Sequence, residues 1–310
     1  MDREAVVAHR QVEIIGAAWG LGGAEPGCAD APAVLAPLLE ARLRACGVEA
    51  RAGAMLRPRA GDRRRQAAVS RLCGLLAGAV AQALRQARLP CVLGGDHSCA
   101  GGTWAGVART LHGALGLIWV DAHMDSHTPG TSHTGRLHGM PLAWLLGQDD
   151  DPLYGLSAGV LNPEQVALVG VRSFEPEEQA RLARLGVRVF HMAEVHARGL
   201  DAVFAEALAI ACAGTKGFGI SIDLDVVAPE EAPGVGTPVG GGIGGRQLAQ
   251  ALGTIGGRAD LRAVELVEYA PRLDPDRRSA RVAIAALMAA LCGPGHEAQI
   301  LADALDGDDA

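Results

Sequence analysis

The segment at residues 115–125 constrains the fold most, because the apolar run LGLIWV is followed directly by DAHMD. A short apolar run bounded by glycine and acidic residues predicts a buried β-strand. Alternate side chains of an extended chain point to the same side, so Asp121, His123 and Asp125 would share one face. Ionisable groups crowded at a strand end repel and desolvate one another. A bound cation would offset that cost, since carboxylates and neutral imidazole are metal ligands.

Two further predicted strands end in the same way. The run ISIDLDVV at 220–227 contains the same-face pair Asp223 and Asp225, and the run CVL at 91–93 leads into GGDHS, which contains His97. The complete candidate set is His97, Asp121, His123, Asp125, Asp223 and Asp225. Four carboxylates exceed what one divalent ion needs and favour a pair of ions bridged by shared aspartates. Oxygen-rich ligation with some nitrogen favours Mn²⁺ over a structural Zn²⁺, while Mg²⁺, Fe²⁺ and Co²⁺ stay open.

The rest of the chain alternates between strand and helix patterns. We predict strands at 11–16, 48–54, 91–93, 115–120, 166–169, 187–190, 217–222 and 261–267. We predict helices at 31–46, 65–88, 103–112, 139–146, 177–185, 200–213, 247–255 and 277–291. Apolar strands between helices indicate a parallel sheet covered on both faces, with ligands bound at the carboxyl ends of the strands. We expect one domain over 1–310, with an acidic, disordered tail at 296–310.

Composition narrows the classes of partner. A net charge of −7 argues against a nucleic-acid surface, and the basic run at 57–65 is interpreted as a solvated loop. Seven cysteines without a Cys-x-x-Cys pair favour reduced thiols in the cytoplasm. Residues 1–10 lack a signal-peptide pattern, and the longest apolar stretch, near 72–84, is too short to span a bilayer. We therefore expect no nucleic-acid or membrane partner and a helix buried at 72–84.

Four motifs, in this order, resemble those of the ureohydrolase superfamily, the group of arginase, agmatinase and related guanidino hydrolases. They are GGDHS at 94–98, DAHMD at 121–125, GRLHG at 135–139 and SIDLD at 221–225. Each motif alone is weak, but the four at these spacings cover nearly the whole chain. The resemblance implies a three-layer α/β/α sandwich on a parallel, eight-stranded sheet. It also implies two Mn²⁺ per subunit, hydrolysis of a guanidinium group to urea and an amine, and assembly as a trimer or hexamer.

The resemblance also implies individual roles. One manganese would be held by His97, Asp121, Asp125 and Asp223, and the other by Asp121, His123, Asp223 and Asp225. Asp121 and Asp223 would bridge the two ions. The predicted catalytic residues are Asp125, His138, which matches the family's proton-shuttling histidine, and Glu268, which matches the carboxylate that grips the guanidinium. Thr237 matches a threonine of the substrate pocket.

The residues that would hold the head of the substrate depart from the arginase pattern. The stretch GVRSFEPEE at 170–178 resembles the one that meets the α-ammonium, with Glu175 in place of an aspartate and with Glu178 retained. Acidic residues also favour the first turn of a helix, so the alternative interpretation is that Glu175 and Glu178 stabilise a helix N-terminus and do not bind substrate. His127, Thr134 and Arg136 stand where arginases use asparagines and a serine on the α-carboxylate. Arg136 would grip a carboxylate more strongly than asparagine, or close the site to arginine.

Two histidines, His127 and His133, have two interpretations from sequence alone. Each lies either in the wall of the substrate pocket or in a solvated loop.

The predicted activity is hydrolysis of L-arginine, or of a close derivative such as N-hydroxy-arginine, to a urea and ornithine. Agmatinase and guanidinobutyrase are the alternatives within the superfamily. A single-Zn²⁺ deacetylase of the same general fold is disfavoured by the six-ligand set. A catalytically inactive binding or regulatory homologue is disfavoured because no predicted ligand is missing.

Overall fold

A parallel sheet forms the centre of the computed structural model, which describes residues 11–62, 64–147 and 159–294. Its strands are β1 Val12–Ala17, β2 Ala50–Leu56, β3 Leu89–Gly94, β4 Gly116–Val120, β5 Val166–Val171, β6 Arg188–His191, β7 Phe218–Asp223 and β8 Leu261–Val267. They lie in the order β2-β1-β3-β8-β7-β4-β5-β6, and every neighbouring pair is parallel. The predicted sheet of eight parallel strands is confirmed.

Helices cover both faces of this sheet. They are α1 Ala31–Ala45, α2 Arg65–Arg85, α3 Ala100–Ala108, α4 Pro141–Leu145, α5 Pro176–Leu185, α6 Met192–Arg198, α7 Leu200–Cys212, α8 Gly245–Gly253 and α9 Arg278–Cys292. One apolar core joins the sheet to α1 and α6–α9, and a second joins it to α2–α5. In β4, Ile118 and Val120 enter the first core while Leu117 and Trp119 enter the second. Burial on both sides explains why this strand is apolar throughout.

The helices differ from the prediction in several places; α3, for example, was predicted at 103–112 and spans Ala100–Ala108. Helix α6 was not predicted, because its polar sequence MAEVHAR buries only Met192 and Val195. Because proline is a helix stop signal, the sequence predicts that the helix at 65–88 ends before Pro90, but α2 already ends at Arg85 and Pro90 lies inside β3. The missing N–H of Pro90 therefore does not end α2, because the helix has already ended when the chain reaches β3.

One leucine of α1 lies outside the core. Helical spacing predicts that Leu38 shares a buried face with Leu35, Leu39 and Leu43, but Leu38 is 37% exposed. At 100° per residue it lies well away from the centre of the stripe formed by Leu35, Leu39 and Leu43. An aromatic content of 3% predicts an aliphatic core, but four tryptophans are buried in it: Trp19, Trp104, Trp119 and Trp144.

Helix α2 extends beyond the apolar stretch expected at 72–84. With 21 residues and a mean hydropathy of 1.5 over its most apolar window, it is long and apolar enough to cross a membrane by length and composition alone. Half of that window is buried, and α3 packs closely on it through glycines. A methyl group at Gly102 or Gly106 would lie 2.7 Å from Cys73 O or 2.8 Å from Ala77 O. The buried face of α2 is therefore part of the core, and such a helix is weak evidence for a membrane span. The predictions for residues 1–10 and 296–310 lie outside the described residues.

Candidate metal centre

The four central strands bring the predicted ligands to one edge of the sheet. The strands β3, β8, β7 and β4 are neighbours. His97 follows β3, Asp121 follows β4 and Asp223 is the last residue of β7. Carboxyl ends of parallel strands meet at the same edge, which accounts for the convergence of residues far apart in sequence.

The first ligand group surrounds the imidazole of His97. Its Nδ1 lies 2.9 Å from Asp125 Oδ2, 3.2 Å from Asp223 Oδ2 and 3.3 Å from Asp121 Oδ2. All four side chains are buried, and their ligand atoms lie within 4.8 Å of one another. The group therefore offers one nitrogen and three oxygens to a single ion.

The second group adjoins the first through Asp121. His123 Nδ1 lies 3.0 Å from Asp225 Oδ2 and 3.5 Å from Asp121 Oδ1. Asp121 thus directs one carboxylate oxygen into each group. Asp223 belongs to the first group, and its Oδ1 accepts a hydrogen bond of 2.9 Å from the backbone N–H of Asp225. A bridging role for Asp223 stays a prediction.

The electrostatics of these groups fit divalent cations. Burial and the charge of Asp121 raise the pKa of Asp125 to about 6, and burial with the charges of Asp225 and Asp121 raises the pKa of Asp223 well above its usual value. A cation removes both penalties, because it replaces lost solvation and neutralises like charges. Although three carboxylate oxygens lie within 3.3 Å of buried His97 Nδ1, none of its contacts in the described part of the chain has the geometry of a hydrogen bond. A lone imidazole nitrogen among carboxylate oxygens is a donor set suited to Mn²⁺ or a similar ion.

A layer of side chains behind His97 was missed by the sequence reasoning. Trp119 stacks on the imidazole at 4.2 Å, and its Nε1 donates to Asp121 Oδ2 at 2.9 Å. On the other side, His97 Nε2 lies 2.9 Å from Ser221 Oγ, which donates to Glu265 Oε2 at 2.7 Å. The available signal was Glu265 itself, an acid inside the apolar strand LRAVELV.

Partly buried His138 and buried Glu268 form a pair beside the first ligand group. His138 Nδ1 lies 3.0 Å from Glu268 Oε1, which also accepts a hydrogen bond of 2.8 Å from the backbone N–H of His97. Glu268 is only 2% exposed and has a φ of 65°, a strained value for a residue with a side chain. Burial opposes the charged imidazole, but the charges of Glu268, Asp125 and Asp96 outweigh it and raise the pKa of His138 to about 9.

A cavity of about 210 Å³ opens beside the ligand groups. Its wall includes these predicted substrate and catalytic residues: Asp125, His127, Thr134, Arg136, His138, Glu175, Glu178 and Thr237. His133 also lines it, so both open histidines are wall residues. The Thr237 hydroxyl donates to Asp225 Oδ2 at 3.0 Å. Glu268 is not part of the wall, since it lies behind His138.

The acids of α5 combine two roles. Glu178 and Glu175 form a capping box, in which Glu178 Oε2 accepts the backbone N–H of Glu175 at 3.2 Å. Glu178 Oε1 also accepts the backbone N–H of Ser126 at 3.0 Å, which ties the metal loop to the helix. His127 Nε2 lies 3.0 Å from Glu175 Oε2 and 3.4 Å from Glu178 Oε2. The helix-start interpretation is therefore correct, and the same acids line the cavity.

Comparisons with known proteins agree with this geometry. The family model described as Arginase family matches residues 10–293. The arginase of Bacillus caldovelox is 42% identical over 220 residues, which cover 70% of this chain and 73% of that protein. A solved native structure of the same species' arginase has a TM-score of 0.86 at 35% identity, covering 92% of this chain and 99% of that one. An Entamoeba histolytica arginase in complex with L-ornithine has a TM-score of 0.84 at 26% identity, covering 91% and 97%.

Proposed function

The chain belongs to the arginase family, and from this premise we propose that it hydrolyses L-arginine to urea and ornithine with two Mn²⁺ ions per subunit. The observation that carries the proposal is the pair of adjoining ligand groups that share Asp121 at the wall of the cavity. Arginases of 42% identity and an arginase bound to L-ornithine support the choice of substrate. When bound, two divalent cations lower the pKa of water enough to supply a nucleophile at neutral pH.

The protein's own contribution to the reaction begins with the ligand residues, which would hold the ions beside the cavity that His123, Asp125 and Asp223 line. A guanidinium carbon is a poor electrophile because resonance spreads its charge, so orientation of the group matters. Glu268 was predicted to grip the guanidinium directly. Its carboxylate is buried and hydrogen-bonded to His138 and to the backbone of His97. We therefore assign Glu268 the role of orienting the imidazole of His138 and stabilising its charged form. A direct contact with substrate stays a prediction.

We assign His138 the protonation of the leaving amine. It lines the cavity next to Asp125, and its pKa of about 9 keeps it charged at neutral pH. Expulsion of an amine requires a proton, and a charged imidazole within the cavity is able to donate it. The ion pair with Glu268 stabilises the charged form and holds Nδ1, which leaves Nε2 as the donating atom.

The head of the substrate would meet the rim of the cavity. Arg136 is exposed on this rim and offers a cation for the α-carboxylate. Glu175 offers the carboxylate for the α-ammonium, since Glu178 already accepts two backbone N–H groups. His127 hydrogen-bonds to Glu175 and lies 3.4 Å from Glu178, and it therefore competes with the substrate ammonium for Glu175.

A substrate panel tests the function directly. We expect urea release from L-arginine to exceed that from agmatine and from 4-guanidinobutyrate by at least about tenfold, since each lacks one charged group of the head, worth roughly 1.4 kcal/mol or more. Chelation should abolish release, and added Mn²⁺ should restore it. Faster turnover of agmatine, or undiminished activity after chelation, would contradict the proposal.

Substitution of His127 tests the assignment of the head. In His127→Asn the imidazole no longer competes for Glu175, so we expect KM for L-arginine to fall about fivefold, which corresponds to roughly 1 kcal/mol, with kcat unchanged. Steady-state kinetics with 4-guanidinobutyrate supply the control, because that compound has no ammonium group and its KM should not fall. An equal fall for both substrates would show that His127 acts on something other than the ammonium.

We also propose that the enzyme is cytoplasmic, forms a homo-oligomer and has no nucleic-acid partner. All seven cysteines are free thiols, which supports a reducing, cytoplasmic location. Assembly as a homo-oligomer rests on the family resemblance alone. The net charge of −7 supports the absence of a nucleic-acid partner.

A further inference from the structure

Glu265 is a fully buried carboxylate in the middle of β8 that the mechanism above does not use. Among the described residues, no arginine or lysine forms an ion pair with it. Instead it accepts hydrogen bonds from three side chains: Ser221 Oγ at 2.7 Å, Cys99 Sγ at 3.5 Å and Thr103 Oγ1. A buried charge is retained at such a place only where surrounding donors stabilise it or where it acts on a neighbouring group.

The neighbouring group is the imidazole of His97, reached through Ser221. A serine hydroxyl has a single hydrogen, and here it points to Glu265 Oε2. Ser221 Oγ must then accept from His97 Nε2–H, 2.9 Å away. The hydrogen on Nε2 leaves the lone pair on Nδ1, the atom that faces the three carboxylates of the first ligand group. Stacking on Trp119 fixes the plane of the ring.

We propose that Glu265 is a positioning residue of the metal centre, which acts through Ser221 to fix the tautomer of His97 and raise the basicity of its Nδ1. The inference rests on the proposed metal site and adds a residue outside the ligand set. Histidine ligands characteristically donate their second N–H to a partner that orients them, and the loss of such a partner weakens metal binding by about 10–100-fold. Here the direct partner of His97 is Ser221, and the carboxylate of Glu265 acts through that serine.

A second buried acid provides a matched control. Asp274 is 2% exposed and accepts hydrogen bonds from the hydroxyl of Tyr269 and from the backbone N–H groups of Ser279 and Ala280. Like Glu265 it is a buried carboxylate held by donors, but its bonds secure the start of α9 and reach no metal ligand. Asp274→Asn therefore reports the cost of removing a buried carboxylate without the relay.

The experiment measures Mn²⁺ affinity by calorimetric titration of chelator-stripped protein, so it does not depend on the substrate. For Glu265→Gln we expect a Kd about 10–100-fold weaker than that of the unmodified protein. For Asp274→Asn we expect a Kd within about twofold and a lower unfolding temperature. An unchanged Kd in folded Glu265→Gln overturns the inference and leaves the proposed function intact. Failure of the unmodified protein to bind Mn²⁺ overturns both.

A double-mutant cycle separates the relay from general destabilisation. Because Glu265 acts through Ser221, Glu265→Gln should weaken Mn²⁺ binding no further in a Ser221→Ala background. Additive losses would overturn the relay. If Glu265→Gln does not fold, Glu265→Asp keeps the charge but withdraws the carboxylate from Ser221, and weaker Mn²⁺ binding is again expected. Unmodified affinity in folded Glu265→Asp would overturn the inference.

Discussion

Replacement of Asp121 by asparagine is expected to reduce urea release by about 10³-fold or more. Each oxygen of this carboxylate faces a different ligand group, so one substitution weakens both. An asparagine amide nitrogen ligates no cation, so one group loses a ligand atom, and the remaining amide oxygen is uncharged, so the other group loses the charge of its carboxylate ligand. Metal catalysis contributes several kcal/mol to such reactions, and each 1.36 kcal/mol corresponds to tenfold in rate. Rates at saturating arginine and the Mn²⁺ content of gel-filtered protein would be measured together.

Asp225→Asn is the matched control for this substitution. Asp225 offers a ligand atom to the second group alone. The Asp225→Asn variant should therefore retain one tightly held Mn²⁺ per chain. Asp121→Asn should retain none at the same free Mn²⁺ concentration. The comparison separates sharing of a carboxylate from simple loss of one. Equal Mn²⁺ content in the two variants would contradict the shared position of Asp121.

Convergence of the metal ligands was predictable because acids and histidines directly follow apolar strands, but their local geometry was not. The pattern predicts that Asp121, His123 and Asp125 meet at the end of β4, whereas the extended alternation expected for them is wrong, because β4 ends at Val120 and the chain bends at residues 122–123. The addition of Asp223 and Asp225 required only that the strands be parallel, since their carboxyl ends then share an edge. Periodicity also gave β8 its bounds, 261–267, which the structure reproduces.

Other features of the site depend on tertiary contacts that leave no local signature. Asp125 has a φ of 46°, a conformation that favours glycine, and nothing in DAHMD indicates it. The burial of Glu268 behind His138 depends on β8 lying next to β3, and the sequence does not specify that order of strands. The bond between His127 and Glu175, which lie 48 positions apart, likewise depends on a tertiary contact that has no local sequence signature.

His138→Asn is expected to lower kcat by about 10²–10⁴-fold, the usual contribution of a general acid. It should also remove the alkaline fall in the pH profile. A charged imidazole is present below its pKa and lost above it. Because the charge of Glu268 raises the pKa of His138 above its ordinary value, kcat of the unmodified protein should fall on the alkaline side of neutral pH. His112→Asn, at an exposed histidine outside the cavity, should leave the profile unchanged. An alkaline fall that persists in His138→Asn would assign it to another group.

The charge of Glu268 sets where that fall occurs. Burial alone would lower the pKa of His138, and the carboxylate of Glu268, 3.0 Å away, makes the largest opposing contribution. Glu268→Gln removes this charge and keeps a hydrogen-bond acceptor, so the alkaline limb of kcat should move to lower pH by about 1–3 units. The direction separates the two roles considered for Glu268. If the residue acts solely by gripping the guanidinium, the substitution should raise KM and leave the position of the limb unchanged, because binding energy for the substrate does not alter the free energy of protonating His138.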